Sequence, residues 1–294
     1  MHLPRRAVVA LTGPNYRIGL WSRWPVRVQR AITDAAALGL LPPRGTSVRK
    51  LTLGGRPAER VTVGATERPR AILYLHGGAY NVGSARMYRA MAGFLARTAE
   101  AVVFTLDYSL APEHPYPAAL DDAVAAFHQL MDAQGYPADR IAIAGDSAGG
   151  GLAVATACRL RDEDVHPAAV ALISPWTDPS DFEGMAKRDF VVSRAWGQTS
   201  AERYRGDADP KDPGFAPMYA DLTGLPPMLI HYGATESLRD QIVRFAGRAE
   251  AAGVKVELVE HPLLWHSAHQ LAGMLREATD AVDDLGRYLR ARTG

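Results

Sequence analysis

One hydroxyl is set among small residues at 144–151, AGDSAGGG, at the end of the apolar run IAIAG. Residues 145–149 read G-D-S-A-G and match G-x-S-x-G, in which a strand turns sharply into a helix and leaves a serine at the apex. A Cβ atom at Gly145 or Gly149 would collide where strand and helix diverge, and the serine itself takes a strained backbone conformation. The crowding of small residues thus predicts an exposed nucleophile, Ser147. The helix that follows, AGGGLAVATACRL, aims its first N–H groups and its dipole at the same point, favouring developing negative charge. Asp146, next to the serine, reads as a local hydrogen-bonding anchor, because an unpaired carboxylate there would oppose an oxyanion.

A second motif, YLHGGAY, closes another apolar strand. Gly77 and Gly78 have no side chains to shield their backbone N–H groups. Together with the N–H of Ala148 they predict an oxyanion hole, each donor contributing about 3–4 kcal/mol to a tetrahedral intermediate. The expected chemistry is acyl transfer through a serine. An HGGG-like motif paired with a nucleophile elbow belongs to one fold.

The elements that must hold these groups alternate along the chain. Eight short runs read as strands: KLTL, ERVTV, AILYL, VVFTLD, IAIAG, AVALIS, PMLIHYG and VKVELVE. Continuously apolar runs such as residues 71–75 fit strands covered on both faces, as in a parallel sheet with helices on each side. Between them, YPAALDDAVAAFHQLMDAQG has a helical period and ends at Gly135. Two segments break the alternation. Residues 1–45 include the amphipathic stretch WSRWPVRVQRAITDAAALGLL, and residues 181–216 form a long crossover, helical at first and then rich in Asp, Pro and Gly. The aromatic content of that crossover favours a lid. The expected division is N-terminal cap helices at 1–45, a cap insert at 181–216, and a core at 46–180 and 217–294.

The bulk numbers fit a single catalytic domain: 294 residues, 47% apolar and 22% charged. A formal net charge of +1 without a long basic run argues against nucleic acid as a partner. The one cysteine, Cys158, reads as a packing thiol on a buried helix face. Gly13, Pro14 and Asn15 interrupt the N-terminal apolar stretch short of signal-peptide or membrane-span length, so a cytoplasmic enzyme without a stable membrane anchor is expected.

At these residues the chain resembles the hormone-sensitive-lipase family of α/β-hydrolases, which includes many bacterial carboxylesterases. Beyond HGGAY and GDSAGGG, the resemblance rests on DYSLAPEHPYPAALDDA at 107–123, SPWTD at 174–178 and ADLTGLPPMLIHYGATESLRD at 220–240. It implies an α/β-hydrolase fold with a mostly parallel eight-stranded sheet and a helical cap. It also implies hydrolysis of short acyl esters without a cofactor or metal, and it is compatible with a homodimer through an edge strand. Two positions depart from the family pattern: Ala79 stands where a third glycine is usual, and Ser109 where an arginine is usual.

Members of this fold place the acid after the seventh strand and the histidine after the eighth. Glu236 aligns with the family's acid, with Asp240 one helical turn later. Of three nearby histidines, His266 aligns with the family's base. His261 comes early, and His269 is expected on the first turn of the last helix. The three also superficially suggest a metal cluster, but they lack a helical i, i+4 pair and would make the serine redundant. Tyr80 is expected to line the substrate pocket, with Trp196 and Tyr204 contributing from the lid. Short soluble esters are the expected substrates. An amidase or lactonase using the same triad, or a non-catalytic binding protein on this scaffold, are the alternatives.

Overall fold

The computed structural model describes every residue except Met1, Thr66, Gly184 and residues 186–188, the last four lying within the expected cap insert. All eight apolar runs are strands: β1 (Thr46–Leu53), β2 (Arg56–Val63), β3 (Ala71–Leu75), β4 (Val102–Leu106), β5 (Ile141–Asp146), β6 (Val170–Ile173), β7 (Met228–Gly233) and β8 (Val256–His261). They form one sheet in the order β1-β2-β4-β3-β5-β6-β7-β8. Only the β1–β2 and β2–β4 pairings are antiparallel.

Strands β3 to β7 are buried along their whole lengths, which accounts for their lack of polar alternation. One face packs on α3 (Arg89–Ala99) and α8 (Arg276–Arg292). The other packs on α4 (Ala118–Asp132), α5 (Ala148–Asp162) and α7 (Arg239–Ala251). Strand β8, at the edge, consists of half-buried and exposed residues.

The helical segments outside this sandwich are α1 (Arg5–Gly19), α2 (Val26–Ala36) and α6 (Arg194–Arg205). Helix α1 continues through Gly13 and Pro14, the residues that interrupt its apolar run. Pro25 sits at the N-cap of α2, where its fixed φ and missing N–H cost nothing. Two contacts fasten these helices. Trp196 Nε1 of α6 donates to Gln29 Oε1 of α2 at 2.7 Å. Arg30 donates to the carbonyls of Asn81 and Ala111 at 2.8 and 2.9 Å and pairs with Glu113 at 2.7 Å. The turns after β3, β5, β7 and β8 all leave the C-terminal edge of the parallel strands, and they carry every residue expected to do chemistry.

Candidate active site

Ser147 joins β5 to α5 with φ 52° and ψ −120°, outside the comfortable regions for a side-chain-bearing residue. The flanking glycines make the turn sterically possible. A Cβ at Gly149 would lie 2.0 Å from the Leu75 carbonyl oxygen, and one at Gly145 would lie 2.3 Å from that of Gly149. Ser147 N donates to Ile173 O at 2.9 Å, fixing the elbow against β6. Its Oγ lies 2.9 Å from Nε2 of His266, within proton-transfer reach.

Nδ1 of His266 faces Oε1 of Glu236 at 3.9 Å. Both side chains are buried, and among the described residues neither of these two atoms has a hydrogen-bond partner. The gap is longer than a hydrogen bond, and a small movement of either group closes it. Burial pushes the His266 imidazole toward neutrality, but the Glu236 carboxylate outweighs it and leaves the pKa raised, with Asp189 and Asp146 adding to the effect. Glu236 is itself oriented: its Oε2 accepts from Ser174 Oγ at 2.6 Å and Gly233 N at 3.0 Å. Ser174 Oγ also accepts from Ser267 N at 3.1 Å, so one hydroxyl ties Glu236 to the segment carrying His266. Sequence reasoning missed Ser174, although it opens the SPWTD motif directly after β6. Asp189, in the cap insert, accepts from Val191 N and Val192 N and, through its other oxygen, from Ser237 N at 3.0 Å. Asp240 is exposed on α7, where it pairs with Arg239 at 3.4 Å.

The loop after β3 corrects the expected oxyanion hole. Gly77 N–H is already engaged, donating to Asp146 Oδ1 at 2.8 Å and to the Tyr88 hydroxyl at 3.0 Å. Gly78 (φ 118°) and Ala79 (φ 50°) then turn the chain through left-handed conformations. Both line the cavity that holds Ser147 and His266. Among the described residues the amides of Gly78, Ala79 and Ala148 donate to no protein acceptor. The open donors are therefore shifted one residue along from the predicted glycine pair. Asp146 is the anchor of this arrangement: besides Gly77 N–H it accepts from Tyr74, Tyr88 and Gln270, each at 3.0 Å. The ring of His76, which precedes the glycines, is stacked on Tyr108 at 4.3 Å, and Tyr108 OH donates to the His76 carbonyl.

Of the three aromatic residues expected to contact substrate, only Trp196 lines the cavity with Ser147 and His266. Tyr80 and Tyr204 stack on each other with ring centroids 3.6 Å apart, and both are 1% exposed. Their rings bury more apolar area in this stack, beside Trp176 and Phe215, than they could at a solvent-filled cleft. A narrow apolar slot beside Ser147 is walled by Trp176, Met185, Val192, Trp196 and Leu238. On the other side the cleft passes Tyr16, Leu20, Thr33, Met87 and Gln270 into a cavity of about 880 Å³ between α1, α2 and the segment leading into α8.

The remaining sequence-level candidates fall elsewhere. His261 is the last residue of β8, and His269 lies on a separate single-turn helix (Ala268–Leu271), well before α8 begins. Both approach His231 rather than the serine, leaving His266 alone at the nucleophile. Cys158 is buried, and burial pushes its thiol up to about 12. At Ser109 the missing family arginine has a local substitute: Asp122 accepts from Ser109 N at 2.7 Å and lies 3.4 Å from Arg56 Nε.

Comparisons with known proteins agree with this geometry. Residues 72–270 match a family model described as the alpha/beta hydrolase fold. An acetyl-hydrolase of Streptomyces hygroscopicus is 40% identical over 257 residues, covering 82% of this chain and 85% of that protein. An esterase of Acinetobacter venetianus is 34% identical over 256 residues, covering 85% and 84%. The crystal structure of an esterase from the bacterial hormone-sensitive lipase family superposes with a TM-score of 0.92 at 34% identity, covering 100% of both chains. With sheet order, elbow and full-length similarity in agreement, the chain belongs to the hormone-sensitive-lipase family of α/β-hydrolases.

Proposed function

We propose that the protein is a carboxylesterase acting on esters of short carboxylic acids, with Ser147 as nucleophile, His266 as base and Glu236 as acid. The observation that carries this reading is the 2.9 Å contact from Ser147 Oγ to His266 Nε2, with Glu236 behind the imidazole. His266 removes the hydroxyl proton as Oγ attacks the ester carbonyl. The amides of Gly78, Ala79 and Ala148 receive the oxyanion at about 2.7–3.1 Å. Collapse transfers the His266 proton to the departing alcohol and leaves an acyl-serine. Water, deprotonated by the same imidazole, then releases the acid and restores Ser147. Glu236 fixes the imidazole tautomer and stabilises its charged form.

The narrow slot beneath Trp196 suits a small acyl group, in keeping with the acetyl-hydrolase among the relatives. The leaving alcohol takes its proton from His266, and the segment after His266 opens onto the large cavity through Gln270. That cavity is assigned to the alcohol, which makes small acyl esters of bulky apolar alcohols the favoured substrates. Ser147→Ala should lower kcat by about 10³-fold or more, whereas a binding protein would show no turnover to lose. Across a p-nitrophenyl ester series the rate should fall as the acyl chain lengthens. A steady rise beyond about C10 would refute the short-acyl assignment. Matched amides and lactones test the alternatives within the same triad.

A homodimer through β8 completes the proposal. Among the described residues this strand pairs only with β7, and Leu258 is exposed on it. No described helix is long and apolar enough to cross a membrane. A cytoplasmic location is part of the same reading, with cell fractionation as its test.

A further inference from the structure

Three imidazoles converge where β7 and β8 end, at the margin of the sheet. His231 on β7 is in register with Val259 of β8, so His261, two residues further on, projects from the same face. His269 reaches the pair from the single turn at 268–271. His231 Nδ1 lies 3.0 Å from His261 Nε2 and 3.2 Å from His269 Nε2, and all three nitrogens fall within 4.8 Å of one another. Ring centroids are 4.5 to 5.4 Å apart with interplanar angles of 45° to 86°, so the rings fan out rather than stack.

We propose that His231, His261 and His269 form a binding site for a divalent transition metal of the Zn2+ type, separate from the catalytic serine. Nitrogens at about 2.0–2.1 Å from a tetrahedral ion stand roughly 3.3 Å apart, close to the two shorter separations here. The third closes by movement of His261, the one half-buried member at the solvent side. The far side of the cluster supplies the usual orienting carboxylate: Asp284 Oδ2 on α8 is 3.3 Å from His231 Nε2. A carboxylate at that distance favours the proton on Nε2, which leaves Nδ1 a single lone pair, yet two other ring nitrogens converge on it. One lone pair accepts one hydrogen bond well, whereas a cation uses all three nitrogens at once. An all-imidazole donor set suits Zn2+, Cu2+ or Ni2+ rather than the oxygen-preferring Mg2+ or Ca2+.

The bound ion leaves a fourth position for water beside His261. It would tie the ends of β7 and β8 to the turn three residues after His266, and it takes no part in acyl transfer.

Metal-stripped protein titrated with ZnSO4 in a calorimeter should bind one ion per chain, and its melting temperature should rise with Zn2+ concentration. His261→Ala, at the edge of the sheet, should abolish this binding while keeping esterase activity in metal-free buffer. Asp284→Asn should weaken affinity roughly 10–100-fold. Ser147→Ala and His266→Ala should bind as the wild type does. X-ray absorption of the Zn2+-loaded wild type should show three imidazole nitrogens at about 2.0–2.1 Å, a readout that stands even if a variant misfolds. Absence of saturable binding, binding that survives His261→Ala, or binding lost with His266→Ala would overturn the site.

Discussion

Glu236 lies 3.9 Å from His266, and that carboxylate is what lifts the imidazole pKa against the effect of burial. As the proposed base, His266 works when neutral, so the raised value places the acid limb of kcat/KM above the ordinary histidine value of about 6.5. Glu236→Gln removes the negative charge, after which burial dominates. The acid limb should move to lower pH while kcat falls by up to about 10⁴-fold, both read from a pH–rate profile. Ser174→Ala deletes a hydrogen bond to a charged acceptor, about 1.5–3 kcal/mol, and should lower kcat roughly 10–100-fold with KM little changed. It should also shift the acid limb, which a purely structural lesion would leave in place. Ala79 has φ 50°, a conformation that costs an L-residue about 1–2 kcal/mol, against about 0.4–1 kcal/mol of extra chain entropy for glycine. Ala79→Gly should therefore raise stability by about 0.5–1 kcal/mol in urea melts and retain activity. In the string H-G-G-A these backbone amides look alike. Which one is open depends on Asp146, which takes the Gly77 amide from 69 residues away, a relation no local spacing encodes.

At the scale of elements, five of the eight strands were legible because β3 to β7 are covered on both faces and so carry uninterrupted apolar runs. Helix α1 was less so: Gly13 and Pro14 are breakers by propensity, yet Val8 is fully buried and Gly13 faces Phe190, so tertiary packing prevails. The aromatic residues near the site misled for a related reason. Tyr80 follows the glycine loop and Tyr204 belongs to the cap insert, but their mutual stack decides where they point. The two cap segments meet at Trp196 Nε1 and Gln29 Oε1, both buried. Gln29→Ala leaves the indole N–H without an acceptor, at a cost of about 1–3 kcal/mol. KM should rise several-fold with a smaller change in kcat, since Trp196 walls the acyl slot without touching the triad. Adding Trp196→Phe to Gln29→Ala removes the orphaned donor, and a double-mutant cycle on stability should show strong coupling.

For the whole molecule, the proposed dimer would form on the far edge of β8, where Leu258 stands exposed between the Arg292–Glu257 and Arg239–Glu260 pairs. Leu258→Lys places a charge on the proposed seam, and sedimentation velocity should show the wild type as a dimer and the variant as a monomer. Within one chain, the strands that carry the reactive groups are neighbours: β3 delivers the glycine loop and β5 the elbow, and Asp146 clasps one to the other through the Gly77 amide. The proposed anion receptor and attacking oxygen are consequently riveted into a single block and cannot drift apart while the sheet holds. On slow heating, turnover should vanish at the same midpoint as the tertiary circular-dichroism signal, without an earlier stage in which the fold endures but the chemistry has stopped.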